Sequence, residues 1–209
     1  ELQEAYQVSP EVALVPTDQT GWFDWIEQFD PLEQRDISSP GAMIYTSGTT
    51  GRPKGVRRKA GTPAEMDNLY ATINQAFDIG PGKRTIIPAP LYHSAPNTYA
   101  ILCVVMGMDE MVLMPRFDPE DLLSLIEKHK TTHLQTVPTM FIRMLKLPEE
   151  ERAKYDVASL EFVVNAAAPC PPDIKQEMID WWGPIINEYY GATEVGAVSF
   201  LDSNQWLGH

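Results

Sequence analysis

The sequence predicts an α/β fold in which a sheet is flanked by helices. From residue 42 onward, short apolar runs alternate with longer segments of helical periodicity, and this alternation is typical of a sheet wrapped by helices. The 209 residues are 44% apolar and 22% charged, as in ordinary globular proteins. Residues 1–40 are punctuated by prolines and end in a Ser-Ser-Pro-Gly turn signal. We therefore expect a loop-rich lead-in over 1–40, part of a preceding subdomain, and an α/β unit over 41–209.

The short apolar runs are the predicted strands. Each is bounded by turn residues or by a change to helical periodicity. The predicted strands are 42–45, 85–87, 111–114, 133–137, 162–164 and 185–190. Pro138 ends the fourth of them, because proline has no N–H to donate to a neighbouring strand. Segment 185–190 is predicted to be the last strand of the chain.

Segments with helical spacing of apolar residues are the predicted helices, at 63–77, 95–106, 119–130, 140–146 and 172–182. The third has the clearest signals. Asp118 is a good N-cap, Pro119 takes the first helical position, and Lys128-His129-Lys130 follow at the end that favours positive charge. Segment 95–106 is predicted to be a buried helix, and the alternative for its apolar part, 99–106, is the lining of a substrate pocket.

Charge and cysteine content exclude several classes of protein. The formal charge is −13, with 29 acidic residues against 16 Lys plus Arg, so a nucleic acid backbone would be repelled. Cys103 and Cys170 have neither metal-ligand spacing nor a disulfide framework. The longest apolar stretch, 99–108, is too short to cross a bilayer, and the acidic start is unlike a secretory signal. We expect a cytoplasmic protein without a transmembrane segment.

A glycine-rich loop follows the first predicted strand. Residues 45–55 read Tyr-Thr-Ser-Gly-Thr-Thr-Gly-Arg-Pro-Lys-Gly. Glycines let backbone N–H groups approach an anion, hydroxyls add donors, and the Lys54 ammonium neutralises charge, which favours a triphosphate clamp. A polar surface turn is the alternative. The loop is not a Walker A motif, because Lys54 lies between Pro53 and Gly55. The basic residues after Lys54 are predicted to form a solvated charged strand.

A second polar constellation, Tyr189-Tyr190-Gly191-Ala192-Thr193-Glu194, stands at the C-terminal end of the last predicted strand. An aromatic ring can stack on a base, glycine permits close approach, a hydroxyl can contact phosphate and a carboxylate can bind Mg²⁺. Ligands of open α/β sheets bind beyond the carboxyl ends of strands, so we expect both polar loops to meet at one edge. The alternative is an ordinary turn in which Glu194 is a solvated acid at a helix start.

These motifs resemble those of the adenylate-forming superfamily, which contains acyl-CoA synthetases, peptide-synthetase adenylation domains and firefly luciferase. Residues 45–55 resemble its signature loop and Tyr190 to Glu194 its second ATP motif. Weaker resemblances lie at 90–95 and 165–169, and the likeness covers nearly all of the chain after Ser39. It implies that 41–209 is the ATP- and acyl-substrate-binding part of the large N-terminal domain. It also implies that the mobile C-terminal domain, with its catalytic lysine, lies outside this chain.

The resemblance also implies a role for each matching residue. Phosphate contacts are implied for Thr46, Ser47, Gly48, Thr49, Thr50, Gly51 and Lys54. Adenine and acyl-pocket contacts are implied for Ala167, Ala168, Pro169, Tyr190 and Gly191. Thr193 would touch phosphate, Glu194 would help ligate Mg²⁺, and His93 and Ala192 would lie near the acyl substrate. The family has glycines where this chain has Ala166 to Ala168, which narrows the approach to a nucleotide. His93 can equally be a hydrogen-bonded structural histidine.

The implied reaction is attack of a carboxylate on the α-phosphorus of ATP, giving an acyl-adenylate and pyrophosphate, then transfer to coenzyme A. Peptide-synthetase domains anchor an amine with an aspartate near the position of His93. No acidic residue lies between Arg84 and Met108, so an acid with an uncharged tail is expected: fatty, aryl or sterol-like. The implied partners are this acid, ATP, Mg²⁺ and coenzyme A, with a homo-oligomer left open. The alternatives are a folded nucleotide-binding fragment without catalysis of its own, and a generic ATPase.

Overall fold

A six-stranded sheet with helices on both faces carries the fold. The computed structural model describes residues 27–30, 43–46, 54–57, 62–193 and 196–208. The chain divides into two units, Glu1–Ser39 and Pro40–His209. Of the first unit only an exposed turn at 27–30 is described. Every element named below belongs to the second.

The elements alternate along the chain as the sequence predicts. The strands are β1 (Met43–Thr46), β2 (Lys54–Arg57), β3 (Arg84–Ile87), β4 (Glu110–Leu113), β5 (His133–Thr136), β6 (Phe162–Asn165), β7 (Ile186–Ala192) and β8 (Gly196–Leu201). The helices are α1 (Pro63–Phe77), α2 (Ser94–Val105), α3 (Pro119–His129), α4 (Pro138–Leu145), α5 (Glu149–Arg152), α6 (Pro172–Trp182) and α7 (Ser203–Leu207). The predicted α/β class is confirmed.

Strand order in the main sheet is β4-β3-β5-β6-β7-β8. Strands β3 to β7 pair in parallel, whereas β8 pairs antiparallel with β7. The chain moves from β3 to β4 on one side and then returns to β5 on the other, so the winding direction reverses between β3 and β5. Ligands of open α/β sheets bind beyond the carboxyl ends of strands near such a reversal. We therefore expect a ligand-binding site at the carboxyl edge of the sheet.

Alternate residues of the strands supply two separate cores. One face of the sheet packs against α3, α4 and α6, and its strand residues are Ile86, Leu134, Val163 and Ile186, all 0% exposed. The opposite face packs against α1 and α2 through Ile87 and Val164, each 1% exposed. Because β5 and β6 lie between parallel neighbours and are covered on both faces, their residues are apolar or hydrogen-bonded.

Helix α3 begins and ends where its sequence predicts. The Asp118 side chain accepts hydrogen bonds from the backbone N–H groups of Glu120 and Asp121, and Pro119 opens the helix. Lys130, with a φ of 48°, ends it in the left-handed conformation. The capping prediction is confirmed, since both helix ends are satisfied locally.

Three features differ from the prediction. Helix α2 is buried along Pro96, Tyr99, Ala100 and Cys103, while Val104 and Val105 are 66% and 67% exposed, so the prediction of a buried helix holds for one face only. Segment 185–190 is not the last strand, because β8 follows it. The first predicted strand is not in the main sheet, since β1 pairs antiparallel with β2 in a separate two-stranded sheet. Apolar composition alone does not say which neighbour covers a surface.

In the parts of the chain that the structure describes, no helix has the length and apolar character needed to cross a membrane.

Candidate functional site

The glycine-rich loop joins the two strands of a hairpin. Thr46, the last residue of β1, is paired with Lys54, the first residue of β2, and Tyr45 is paired with Gly55. Lys54 is exposed, and β2 confirms a strand for the basic segment that begins there. The Thr46 side chain and the predicted phosphate-binding residues between the strands, Ser47, Gly48, Thr49, Thr50 and Gly51, lie outside the described residues.

The second motif also lies on a hairpin, formed by β7 and β8. Ala192 is paired with Gly196, and the register shifts by a bulge between Tyr190 and Gly191. A Cβ atom at Gly191 would collide with the carbonyl oxygen of Gly196 and lie 3.1 Å from the Cα of Ala197. Only glycine therefore fits at Gly191. Glu194, the predicted Mg²⁺ ligand, lies outside the described residues.

The segment after β6 has a conformation that favours glycine. Ala167 has a φ of 73°, in the left-handed region that costs an L-residue with a Cβ about 1–2 kcal/mol. Alanines stand here where the superfamily that the sequence resembles has glycines. The structure gives that departure a physical cost, since Ala167 keeps a glycine-like backbone despite its methyl group.

A cavity of about 450 Å³ lies beside this segment, beyond the carboxyl ends of β6 and β7. The predicted residues that line it are Ala167, Ala168, Pro169, Tyr190 and Gly191. Its other lining residues are Asn165, Cys170, Glu188, Tyr189, Ser199 and Leu201. The structure thus brings two of the predicted motifs to one cavity of the size that proteins use for small ligands.

The two adjacent tyrosines of β7 have different environments. Tyr189 packs edge-on against Phe77 with ring centroids 5.4 Å apart, and Gln135 Nε2 donates a hydrogen bond to its hydroxyl at 3.4 Å. Burial raises the pKa of Tyr189. Tyr190 is 73% exposed. Tyr189 is therefore a packing residue, whereas the ring of Tyr190 is accessible to a ligand.

Polar side chains that were not among the predicted site residues form one wall of the cavity. Asn165 and Glu188 are register partners on β6 and β7. Asn165 is 1% exposed, and its Nδ2 has no hydrogen-bond partner in the described part of the chain. Lys175 of α6, also 1% exposed, donates to Glu188 Oε2 at 2.9 Å. A signal for Lys175 existed, since it stands in helical spacing with the buried Met178, Ile179 and Trp182.

The loop after β3 reaches the second motif. Ser94 Oγ lies 3.3 Å from Thr193 Oγ1, and either hydroxyl can donate. His93 is the N-cap of α2, with no side-chain capping bond among the described residues. Its ring lies 4.4 Å from that of Tyr92. The structure therefore brings the His93–Ser94 segment and Thr193 together, although β5 and β6 separate their strands.

The described residues offer hydroxyls, amides, aromatic rings and one paired carboxylate at this edge. They include no group of three or more His, Cys, Asp and Glu residues arranged to hold a metal ion. No serine, histidine and aspartate are joined by hydrogen bonds near the cavity in the described ranges. The groups that are present are suited to binding and orienting a polar ligand.

Comparisons with known proteins agree with this geometry. The sequence model of a family described as "AMP-binding enzyme" matches residues 3–208. The long-chain-fatty-acid–CoA ligase of Bacillus subtilis (strain 168) is 30% identical over 179 residues, which cover 83% of this chain and 30% of that protein. The chain thus spans about 30% of the length of the curated relatives that it matches.

Solved structures with the same fold are similar to the chain over most of its length. The inhibitor-bound N-terminal domain of FACL13 from Mycobacterium tuberculosis aligns with a TM-score of 0.67 and 26% identity, covering 84% of this chain and 44% of that one. The ATP-bound MatB of Rhodopseudomonas palustris aligns with a TM-score of 0.63 and 26% identity, covering 78% of this chain and 31% of that one.

Proposed function

Because this chain belongs to the AMP-binding enzyme family, we propose that its complete protein uses ATP to activate a carboxylic acid. The acid would become an acyl-adenylate with release of pyrophosphate, and then a thioester of coenzyme A. The chain would supply the nucleotide-binding edge and part of the acid pocket within the large N-terminal domain. The likeness to a CoA ligase and to an ATP-bound enzyme supports both halves of this proposal.

One observation carries the proposal: segments from three separate places meet beyond the carboxyl edge of one sheet. Residues 165–170 and 188–191 line a single cavity. Thr193, the residue after β7, contacts Ser94, the first residue of α2. An extended ligand with a flat base at one end and phosphates at the other needs such a row of contacts.

The cavity is the proposed adenine site. Tyr190 is accessible for stacking, and a ring face of this kind is worth about 0.5–1.5 kcal/mol beyond its buried area. Gly191 allows the carbonyl of Gly196 to lie close against β7, and so shapes the hairpin that would border the base. Ala167, Ala168 and Pro169 would border the base on the opposite side. The phosphates would then extend toward Thr193.

Phosphates are proposed to bind between the two hairpin tips. Lys54 starts β2 directly after the glycine-rich segment, and its ammonium would neutralise the leaving pyrophosphate. The backbone and hydroxyls of Thr46, Ser47, Gly48, Thr49, Thr50 and Gly51 would supply the remaining donors. Glu194, one residue after Thr193, is proposed as a ligand for Mg²⁺. In-line attack on phosphorus depends on this positioning and charge neutralisation more than on a protein nucleophile.

The acid is proposed to have an uncharged tail. The segment from Thr85 to Gly107, which contains His93 and the apolar helix α2, has no carboxylate that could hold a substrate ammonium. His93 and Ala192 would lie near the reacting carboxylate, beside the Ser94–Thr193 contact. A neutral pocket wall of this kind favours fatty, aryl or sterol-like acids over amino acids.

Acid-dependent exchange of labelled pyrophosphate into ATP tests the function in the complete protein. We expect exchange with at least one fatty, aryl or sterol-like acid, only with Mg²⁺ present, and thioester formation only after coenzyme A is added. A panel that includes amino acids provides the matched control. Absence of exchange with every acid, or release of orthophosphate in place of pyrophosphate, would overturn the proposal.

A second candidate function follows from the fraction of its relatives that the chain spans, about 30%. The 209 residues by themselves would be a nucleotide-binding piece without catalysis. Isothermal titration of this chain with Mg·ATP, beside the exchange assay on the same sample, separates the two functions. Binding without exchange supports this second candidate, and exchange by the chain alone contradicts it.

A further inference from the structure

Lys175 is a charged residue in an apolar position. It stands on α6 in helical spacing with Met178, Ile179 and Trp182, and all four side chains are buried. Lys175 is 1% exposed, and its ammonium lies 4.9 Å from the ring centroid of Trp206. Burying an ammonium carries a large desolvation free energy unless a partner pairs with it and accepts its hydrogen bonds.

That partner is Glu188, on the wall of the proposed adenine site. Lys175 Nζ donates to Glu188 Oε2 at 2.9 Å, and the Glu188 side chain is 24% exposed. Among the described residues, no hydrogen bond reaches the other carboxylate oxygen, Oε1. Lys175 thus occupies one carboxylate oxygen and leaves the other as an acceptor, on a residue that lines the cavity.

Asn165 lies beside that acceptor. It is the register partner of Glu188 on the neighbouring strand, and parallel strands lie about 4.8 Å apart. The Thr136 hydroxyl lies 3.3 Å from the Val164 carbonyl oxygen and 3.5 Å from Asn165 Oδ1, and it can donate its one proton to either. Asn165 Nδ2 is buried and has no hydrogen-bond partner in the described ranges, so Glu188 supplies the accessible acceptor on this wall of the cavity.

Adenine offers the complementary edge. Its 6-amino group is the only N–H donor on the base of ATP, and the neighbouring N1 is an acceptor. Hypoxanthine, the base of inosine triphosphate, has an acceptor oxygen at position 6 and a donor at N1, the reverse arrangement. A carboxylate oxygen held in the cavity would therefore attract the first base and repel the second at position 6.

We propose that Lys175 is a positioning residue for nucleotide selection: it fixes the Glu188 carboxylate so that Oε1 accepts from the 6-amino group of ATP. This inference rests on the proposed function, since it takes the cavity as the adenine site. An apolar pair of similar volume would stabilise the fold at least as well as a buried ion pair. Stability alone therefore does not account for a lysine at this position.

Comparison of ATP with inosine triphosphate in the complete protein tests the proposal. The readouts are kcat/KM in pyrophosphate release with an accepted acid, and equilibrium binding of each nucleotide. K175M should lower the ATP-to-inosine-triphosphate preference about tenfold, through KM for ATP, because a hydrogen bond to a charged group is worth roughly that factor. K175R should stay within about twofold of the unchanged protein, since it keeps the cation and its donors.

Two further variants keep the test sound if K175M folds poorly. In E188Q, Lys175 still holds the side-chain oxygen, so the amide NH₂ faces the base and the preference should shift toward inosine triphosphate. In the double variant K175M/E188Q both charges are absent, the fold keeps its volume, and this shift should disappear. Coupling of this kind between the two substitutions is the signature of action through Glu188.

Three results would decide against the inference. Equal losses with both nucleotides in K175M would give Lys175 a structural role only. The same preference in E188Q and K175M/E188Q would show that the lysine does not act through Glu188. Unchanged preference in every variant, with normal acid-dependent exchange, would overturn the inference and leave the proposed function intact, whereas absence of exchange with all acids would overturn both.

Discussion

Ser94 and Thr193 are 99 positions apart in the sequence, yet their hydroxyl oxygens lie 3.3 Å apart. This contact joins the start of α2 to the β7–β8 hairpin. It connects the proposed acid-binding segment at His93 with the proposed phosphate contact. A single hydrogen bond thus links the two substrates' binding segments, and its removal should affect both.

Replacing Thr193 by Val should lower acid-dependent pyrophosphate exchange about tenfold, because a hydroxyl that serves both Ser94 and phosphate is lost. Thr193→Ser keeps the hydroxyl and should retain most of the exchange. Ser94→Ala should have a smaller effect, and the double variant should cost less than the sum of the two. Exchange in T193V equal to that of the unchanged protein would remove Thr193 from the mechanism.

Lys54→Ala should weaken adenylation about 100-fold while leaving folding intact, because an exposed cation that neutralises transition-state charge is removed. Pyrophosphate exchange measures the first effect and thermal unfolding the second. Lys128→Ala, at an exposed position on α3, removes the same charge far from the motif and serves as the control. If Lys54→Ala keeps full exchange, the loop has no part in the reaction.

Ala167→Gly should stabilise the protein by about 0.5–1 kcal/mol, since a φ of 73° costs alanine more than the extra entropy that glycine loses on folding. Denaturant unfolding measures the change. Ala158→Gly, at an exposed residue without positive φ, should be neutral or destabilising. A destabilised Ala167→Gly variant would mean that the methyl group contributes packing that outweighs the strain.

Gly191→Ala should destabilise the protein by several kcal/mol, because the added Cβ would collide with the backbone of Gly196. This change in stability is opposite in sign to that of Ala167→Gly and larger. The hairpin would have to open at its bulge. Thermal unfolding and the yield of soluble protein check this prediction. Near-normal stability would show that β8 can shift away from β7 at little cost.

Acidification below neutral pH should destabilise the fold through His133. Burial lowers the pKa of this side chain, whose Nε2 lies 3.2 Å from Asp78 Oδ2, although the hydrogen bond to Asp78 opposes the shift. The unfolded chain therefore binds a proton that the folded chain releases. The stability that neutral His133 contributes is fully present above the pKa of histidine in the unfolded chain, about 6.5, and is lost as the pH falls toward the pKa in the folded chain.

Asp78 adds a second loss at lower pH. Burial raises its pKa, but hydrogen bonds from Lys83 and His133 outweigh burial, and the net pKa lies below its usual value. Its contribution is present above about pH 3.9 and is lost as the pH falls through the folded pKa.

Unfolding midpoints measured between pH 7 and 5 test the assignment to His133. They should fall with the pH in the unchanged protein and in His129→Gln, and fall less in His133→Gln. Parallel slopes in all three would contradict the assignment to His133.

Much of the fold follows from local signals. Helix α3 was predictable because Asp118, Pro119 and the basic end residues each satisfy a requirement of a helix terminus within the segment itself. Strand β5 was predictable because it is short and is followed closely by Pro138, which cannot continue a strand. Such features depend on residues that are close in the sequence, so they can be predicted from the sequence alone.

Features that depend on distant neighbours were not predictable. The face of α2 that is buried is decided by its packing against α1 and the sheet. Its apolar sequence does not indicate that Cys103 is buried and Val104 exposed. The role of Glu188 depends on its register with Asn165 and on Lys175 from another helix. A lysine is ordinarily read as solvated, and only its helical spacing with buried residues indicated otherwise.

The two predicted phosphate motifs belong to antiparallel hairpins, in which Thr46 pairs with Lys54 and Ala192 pairs with Gly196. Closure of so short a loop takes tens of nanoseconds and a hairpin about 1–10 μs, whereas parallel pairs such as β3 with β5 require long crossovers first. We expect each motif to reach its own backbone geometry early in folding, before the sheet is complete. Mutations in the parallel core should then alter how far apart the two motifs are held, and leave the shape of each one unchanged.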